Sequence, residues 1–300
     1  MTPKKPLPPG DSKKCTIIIS TVSDHDNEEL QECIATCLVN DPKAIILSTD
    51  NPQRANGLQN LARHMRTPGI EISVEQSGVA SKRKQMIQAA NRVTTPLIAF
   101  IDDHVFLPQS FLCSSISEFE DQRIGICGTE KKVRRKALLS KSIIGKYWER
   151  LWNFLGMVYL ERHNYEIRAT NAMDGGVFVV SSRAMLIRSS IVKDKAFQDA
   201  FLDELVFGTS GPIDVGDDNF ITCWILLSLE WKIAISRVHV ETTLGEFSKM
   251  IWQLLRWRRT TYQNLAMVAL AMDGVDSICS IAFQLRDHMG HWNGLLSRKH

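Results

Sequence analysis

An apolar run from Pro96 to Ile101 ends abruptly in Asp102, Asp103 and His104. Such a run reads as a buried strand whose carboxyl end delivers two carboxylates and an imidazole to a cleft. A buried strand gains nothing from these groups at its tip unless something there needs them. Hard oxygens beside one nitrogen suit a divalent cation of the Mg2+ or Mn2+ kind. The plain alternative is an acidic turn that merely ends the strand.

A basic group comes next. Lys82, Arg83 and Lys84 fall in the first turn of a helix expected from Ser81 to Val93, where the helix dipole favours negative side chains instead. Three cations beside free backbone N–H groups make an anion site that fits a phosphate; the alternative is solvated surface charge. Together with the acidic strand end, this points to a nucleoside diphosphate. No Gly-x-x-x-x-Gly-Lys-Ser/Thr run occurs, so the cradle is not a P-loop.

Asp217 and Asp218 directly precede an apolar helix, Phe220 to Leu229. One aspartate is a good N-cap. A second exceeds what a cap requires and can serve as a general base if it reaches the reacting hydroxyl. Asp174 lies at the mouth of an expected strand, Ala172 to Val180, entered through Gly175 and Gly176, and is a candidate acceptor contact. Gln253, Arg256 and Trp257 are spaced i, i+3, i+4 and share one helix face. The indole suits stacking on a sugar ring and the guanidinium suits phosphate. The same helix also reads as an amphipathic one with Trp252 and Trp257 buried, or as one lying on a membrane surface.

These groups need a scaffold. Apolar β-branched runs at Cys15 to Val22, Lys43 to Ser48, Ile70 to Val74 and Pro96 to Ile101 alternate with helical patterns at Glu28 to Val39, Asn56 to Met65 and Ser81 to Val93. That alternation means βαβ units and a mostly parallel sheet, with ligands outside the carboxyl ends of the strands. Asp24, Asp50 and Asp102 all fall at that edge. Further on, Pro108 to Glu120 reads as a helix and Ile124 to Val133 as a strand leading into basic Lys131 to Lys136. Lys146 to Arg162 reads as an amphipathic helix carrying Trp and Tyr.

Composition sets outer bounds. With 300 residues, 44% hydrophobic and 23% charged, the chain is an ordinary globular protein with room for a large core. A net charge of +3 gives no support to a nucleic-acid partner. Seven scattered cysteines, among them Cys33 and Cys37 at helical spacing, lack the second pair a structural zinc site needs, so they read as buried thiols in a reducing compartment. The Pro- and Lys-rich residues 1–14 read as a mobile tail without a leader or anchor. No apolar run reaches the length of a membrane span.

Taken in order, Asp50, Lys82-Arg83, Asp102-Asp103-His104, Asp217-Asp218 and Gln253-x-x-Arg256-Trp257 resemble the motif series of the family 2 glycosyltransferases. The resemblance runs from about Cys15 to Asn264. It is nearest to the membrane-bound processive polysaccharide synthases of the hyaluronan, chitin and cellulose type, and among those to fungal synthase-like members. It implies an α/β GT-A domain over residues 15–245, with residues 246–300 as a C-terminal helical segment that carries Gln253-x-x-Arg256-Trp257 and lies at a membrane interface. It also implies inverting, metal-dependent transfer from a UDP-sugar to a glycan acceptor. Asp24 and Asp50 would hold the uridine, and Lys82 and Arg83 the uridine or diphosphate. Asp102 and His104 would bind Mn2+ or Mg2+, with Asp103 beside them on the nucleotide. Asp218, next to Asp217, would act as base. Arg256 would support the diphosphate, while Gln253, Trp257 and Asp174 would meet the acceptor. The family's metal motif is Asp-x-Asp, and His104 stands at its third position here. The membrane helices that follow the Gln-x-x-Arg-Trp helix in the synthases are missing, which leaves a catalytically silent nucleotide-binding remnant as the alternative. A sugar nucleotidyltransferase would need a Gly-rich loop between Ile17 and Asn27, and none is there. Cytosolic thiols and the basic-aromatic helix imply the cytoplasmic face of a membrane.

Overall fold

The computed structural model describes residues 9–134, 142–206, 210–212, 216–228 and 231–243. Its first part follows the alternation: β1 (Cys15–Ser20), α1 (Glu28–Val39), β2 (Ala44–Thr49), α2 (Pro52–His64), β3 (Glu71–Gln76), α3 (Lys82–Arg92) and β4 (Leu97–Asp102). Then come β5 (Val105–Phe106), α4 (Phe111–Ile116), β6 (Ile124–Val133), α5 (Ile143–Asp174), β7 (Ala184–Arg188), α6 (Ser189–Lys193) and α7 (Lys195–Leu202). The short β8 (Leu205–Val206) and β9 (Ser210–Pro212) precede α8 (Asp217–Leu227) and β10 (Lys232–Thr242). Local chemistry sets the helix starts. Asn27, Asn51 and Ser81 each cap a helix by accepting the N–H three residues on, from Leu30, Arg54 and Lys84.

Eight strands form one sheet in the order β3-β2-β1-β4-β7-β6-β10-β5. β1 to β4 pair in parallel, β7 runs antiparallel between β4 and β6, and β10 lies parallel to β6. Alternate residues of the central strands feed two cores, one on each face of the sheet. Ile17, Ile19, Leu47 and Ile101 pack with Leu30, Cys33 and Phe111 on one side. Ile18, Ile46 and Phe100 pack with Met86, Phe197 and Ile221 on the other. Burial on both faces is why β1 and β4 are unbroken apolar runs.

Two expectations are corrected. Residues 9–14 are not part of a free tail: Pro9–Lys14 forms a 3-10 turn, Ser12 is buried, and Lys13 donates to Asp41 and to the carbonyls of Pro42 and Gly69. The strand expected from Ala172 to Val180 does not form. The helix expected to stop near Arg162 continues to Asp174, where Gly175 takes φ +80° and donates its N–H to Asn171 O. That left-handed cap is the conformation glycine adopts without steric penalty. Val177 and Val180 are still buried, but in irregular backbone, where Thr222 Oγ1 accepts the Val180 N–H at 2.8 Å.

Candidate active site

The carboxyl ends of β1, β2 and β4 and the first turns of α3 and α8 meet at one rim. The Asp102 N–H donates to Arg183 O at 3.0 Å, which carries Ser182 and Arg183 to the tip of β4. From α3, the Lys82 ammonium donates to Asp102 Oδ1 at 2.8 Å and to Ser182 Oγ at 3.1 Å. It also forms an ion pair with Asp217 at 3.1 Å. Burial alone would lower the Lys82 pKa, but the two carboxylates outweigh it and hold the group above the ordinary lysine range.

The expected cradle of three cations is therefore corrected. Successive helix residues point about 100° apart, so Lys82, Arg83 and Lys84 cannot share a face. Lys82 faces the carboxylates and Lys84 faces solvent. Arg83, expected on the nucleotide, is 2% exposed and turned into the protein. Its guanidinium donates to Phe201 O, Gly216 O and Glu204, and it stacks 4.8 Å from the Phe201 ring centre. By gripping Gly216, it fixes the residue from which α8 starts.

Asp217 and Asp218 occupy the first turn of α8 behind Gly216, which has φ +78°. Their environments separate them. Burial would raise the Asp217 pKa, yet Lys82 overrides it and holds the carboxyl below the usual range. Asp218 is pushed up to about 6, by burial first and by the Asp217 charge second. Its Oδ1 accepts the Asn219 N–H at 2.9 Å. Within electrostatic reach is Lys131, which is buried and lowered to about 7 by desolvation and by Arg183. An acid raised towards neutral pH, with a lowered lysine within electrostatic reach, is the kind of group that suits proton transfer near neutral pH.

On the β1 side, Asp103 is committed: its Oδ2 accepts from Thr21 Oγ1 at 2.5 Å and Ser23 Oγ at 2.9 Å, and its Oδ1 lies 3.1 Å from His104 Nδ1. Burial would raise its pKa, and these bonds, that to His104 foremost, lower it. A histidine whose Nδ1 is held by a carboxylate presents its Nε2 outward, the arrangement that orients metal-binding imidazoles. Asp102 and His104 are thus suited to supply two donors to a hard cation. Among the described residues no group of three His, Cys, Asp or Glu assembles, so phosphate oxygens of a bound nucleotide would have to complete the shell, as is usual for Mg2+.

Asp50 and Asp24, expected on one ligand, are brought together by Arg54. Its Nη1 donates to both Asp50 oxygens at 2.7 Å and its Nε to Asp24 at 3.2 Å. The Arg54 hydrogen bond holds the Asp50 carboxyl below its ordinary range.

Sequence reasoning missed Arg54, Lys131, Ser182 and Arg183. The i,i+4 spacing of Asp50 and Arg54 across the start of α2 was a usable signal; nothing in the spacing marked the other three. Asp174 ends α5, and its side chain lies outside the described residues, as do Gln253, Arg256 and Trp257. The described chain stops at Thr243, whose N–H reaches His104 O at 3.5 Å.

Residues 15–260 match the family described as Glycosyltransferase like family 2. The chain is 34% identical over 266 residues to a Type 2 glycosyltransferase of Pyricularia oryzae, covering 87% of this chain and 52% of that one. A Type 2 glycosyltransferase of Gibberella zeae is also 34% identical, with 87% and 48% covered. The chain thus spans about half the length of these relatives. The NDP-glycosyltransferase ltbB of Aspergillus luteorubrus is 24% identical, with 87% and 63% covered. Among solved structures, the mannosyltransferase PcManGT from Pyrobaculum calidifontis, in complex with GDP-Man and Mn2+, gives a TM-score of 0.57 at 12% identity over 85% of this chain and 64% of that one. S. aureus TarS 1–349 gives 0.55 at 12% identity over 92% and 72%. The curled, mostly parallel sheet with flanking helices is that of the GT-A glycosyltransferases. With the family match running from β1 past the last described strand, the chain belongs to family 2 of the glycosyltransferases.

Proposed function

We propose that this chain transfers a sugar from UDP-sugar to a hydroxyl of a glycan acceptor with inversion, in the manner of the polysaccharide synthases. Asp218 takes the proton of the acceptor hydroxyl as that oxygen bonds to the anomeric carbon. The bond from that carbon to the diphosphate oxygen breaks, and the diphosphate leaves with the electron pair. Asp102 and His104 would hold a divalent cation, Mn2+ or Mg2+, which when bound neutralises charge on the diphosphate. Asp50 and Asp24, oriented by Arg54, bind the nucleoside. Gln253, Arg256 and Trp257 complete the acceptor and diphosphate contacts, with Asp174 at the acceptor side. The Mn2+ and nucleotide-sugar named for the mannosyltransferase neighbour support the cofactor and donor class.

The observation that carries this reading is the geometry at the start of α8, where Lys82 pairs with Asp217 at 3.1 Å and leaves Asp218 next to that charge with its pKa raised. The test is UDP release from a panel of UDP-sugars, with Mn2+ and with Mg2+, for the wild type and Asp218→Asn. Release that needs a metal and vanishes in the variant is expected. One observation favours a rival, a nucleotide-binding domain without turnover: His104 stands where the family carries an aspartate, and it is bonded to Asp103. Calorimetric binding of UDP with no release from any donor would establish that rival.

A further inference from the structure

Lys131 is the last buried position of β6, only 2% exposed, and its ammonium has no hydrogen bond or ion pair among the described residues. The backbone explains how the side chain comes to lie there. β7 pairs with β6 only at Ile126, Cys127 and Gly128. Beyond that point Asn164 of α5 stands in for the missing strand, accepting the Lys131 N–H at 3.0 Å and donating to the Lys131 carbonyl at 2.8 Å. Asn164 is itself fully buried, so the clasp fixes the lysine at the rim. The ammonium stands among like charges. Arg183 lies within its electrostatic reach, and burial together with Lys131, Arg183 and Arg162 holds His163 well below the ordinary histidine range. Asp218 is also in reach of Lys131 but forms no ion pair with it. A buried ammonium without a counter-charge is costly. It is retained where an incoming anion supplies that counter-charge.

We propose that Lys131, with Arg183 beside it, receives an anionic substituent, a carboxylate or a phosphate, carried by one of the two sugars that meet in this cleft. The assignment rests on the sugar transfer proposed above and names the kind of sugar on which it acts. Position along the rim supports it. The strand order β2-β1-β4-β7-β6 sets Asp50, Asp24, Asp102, Arg183 and Lys131 in that sequence at the strand ends. Neighbouring strands lie about 4.8 Å apart, so the strand of Lys131 stands roughly 10 Å past that of Asp102. The strand that ends at Asp50 stands about as far on the opposite side. In a sugar nucleotide the diphosphate separates the nucleoside from the sugar. With the nucleoside at Asp50 and the diphosphate near Asp102, the far end of the rim is left to the sugars. Asp218, in reach of Lys131, puts the anion close to the reacting hydroxyl. A neutral hexose offers this ammonium only hydroxyls, whereas a hydrogen bond between two charged groups is roughly twice as strong. A lysine with a purely structural role would have a carboxylate or carbonyl at its ammonium, and among the described residues it has neither.

The test is calorimetric binding to the full chain with neutral and charged sugars compared in two sets. UDP-glucose and UDP-glucuronate, each with Mn2+, place the charge on the donor. Oligosaccharides ending in glucose, in glucuronate or in glucose 6-phosphate, each with UDP present, place it on the acceptor. In one set the charged member is expected to bind about tenfold more tightly than the neutral one, and the set that shows it tells which sugar carries the anion. Lys131→Met should abolish that preference, while Lys132→Met, on the exposed neighbour, should keep it. Lys131→Met should also raise the melting temperature without ligand, because it removes an unpaired buried charge at similar volume. Equal binding of charged and neutral members in both sets of the wild type would overturn the proposal, and that comparison needs no variant. A preference that survives in Lys131→Met, or a melting temperature that falls in it, would overturn it too. Equal binding accompanied by UDP release would leave sugar transfer standing, whereas a charged preference with no release from any donor would strike the transfer and keep the anion site.

Discussion

The Lys82 ammonium lies 2.8 Å from Asp102 and 3.1 Å from Asp217, so one lysine in the first turn of α3 ties the end of β4 to the start of α8. The consequence falls on the next residue. With Asp217 kept ionised, Asp218 must ionise beside an existing negative charge in a half-buried place, and its proton is held more tightly for both reasons. Two adjacent carboxylates thereby hold their protons with different strength.

Asp218→Asn is expected to lower UDP release by about 10²–10⁴-fold, the usual effect of removing a positioned base. In the wild type, the rate should fall as pH drops through about 6, where Asp218 takes up its proton. Stability should move the other way. A carboxyl whose folded pKa lies above its unfolded one favours folding when protonated and loses that contribution as pH rises through about 6. Asp218→Asn should therefore raise the melting temperature at alkaline pH and leave it unchanged in strong acid. A variant that gains no stability at alkaline pH would show that Asp218 is not strained by its charge.

Lys82 and Lys131 both draw the Asp218 pKa down from where burial would put it. Lys131→Met should therefore move the acid limb of the pH–rate profile to higher pH, and Lys82→Met should do so while also lowering the rate. Lys132→Met, on the exposed neighbour, is the control. An acid limb that stays in place in Lys131→Met would separate Lys131 from the base.

How much of this was legible beforehand follows from what periodicity can report. The strands β1, β2 and β4 were legible because each is buried on both faces and ends in a polar residue, and that rule also put Asp50 and Asp102 at one edge. The stretch from Ala172 to Val180 misled for the same reason: Val177 and Val180 are buried, but an apolar run reports burial and not backbone shape. Lys131 was hidden in a basic run, since nothing local tells that this lysine is the last buried position of β6 while Lys132 is exposed. Arg83 was misplaced because its partners, Phe201, Glu204 and Gly216, lie more than a hundred residues on. Such pairings exist only after the chain has folded.

Arg83→Ala should be among the most damaging single changes to the fold. It removes the guanidinium facing buried carbonyls and Glu204, and leaves those groups without their charge partner. Breaking such a pair typically costs about 3–5 kcal/mol, to be read from the denaturation midpoint. Arg83→Lys keeps the charge but not the fork, and should fall between the two. If the variant folds with wild-type stability while its KM for the donor rises, Arg83 contacts the nucleotide after all.

Arg54→Ala separates two uses of Asp50. In this structure the guanidinium takes both Asp50 oxygens. Either it orients the carboxylate for a nucleoside, or it satisfies the carboxylate and leaves nothing for a ligand. The pair is partly exposed and screened by solvent, so its loss should change stability little under either view. The KM for the donor tells them apart. With Arg54 as a positioning residue, the carboxylate swings free, KM rises about tenfold and kcat holds, because that contact is made equally in the ground and transition states. Arg54→Lys should recover part of the loss, since an ammonium restores the charge without the bidentate geometry. An unchanged or lowered KM in Arg54→Ala would mean that Asp50 serves only the ion pair and that the nucleoside is held elsewhere on the rim.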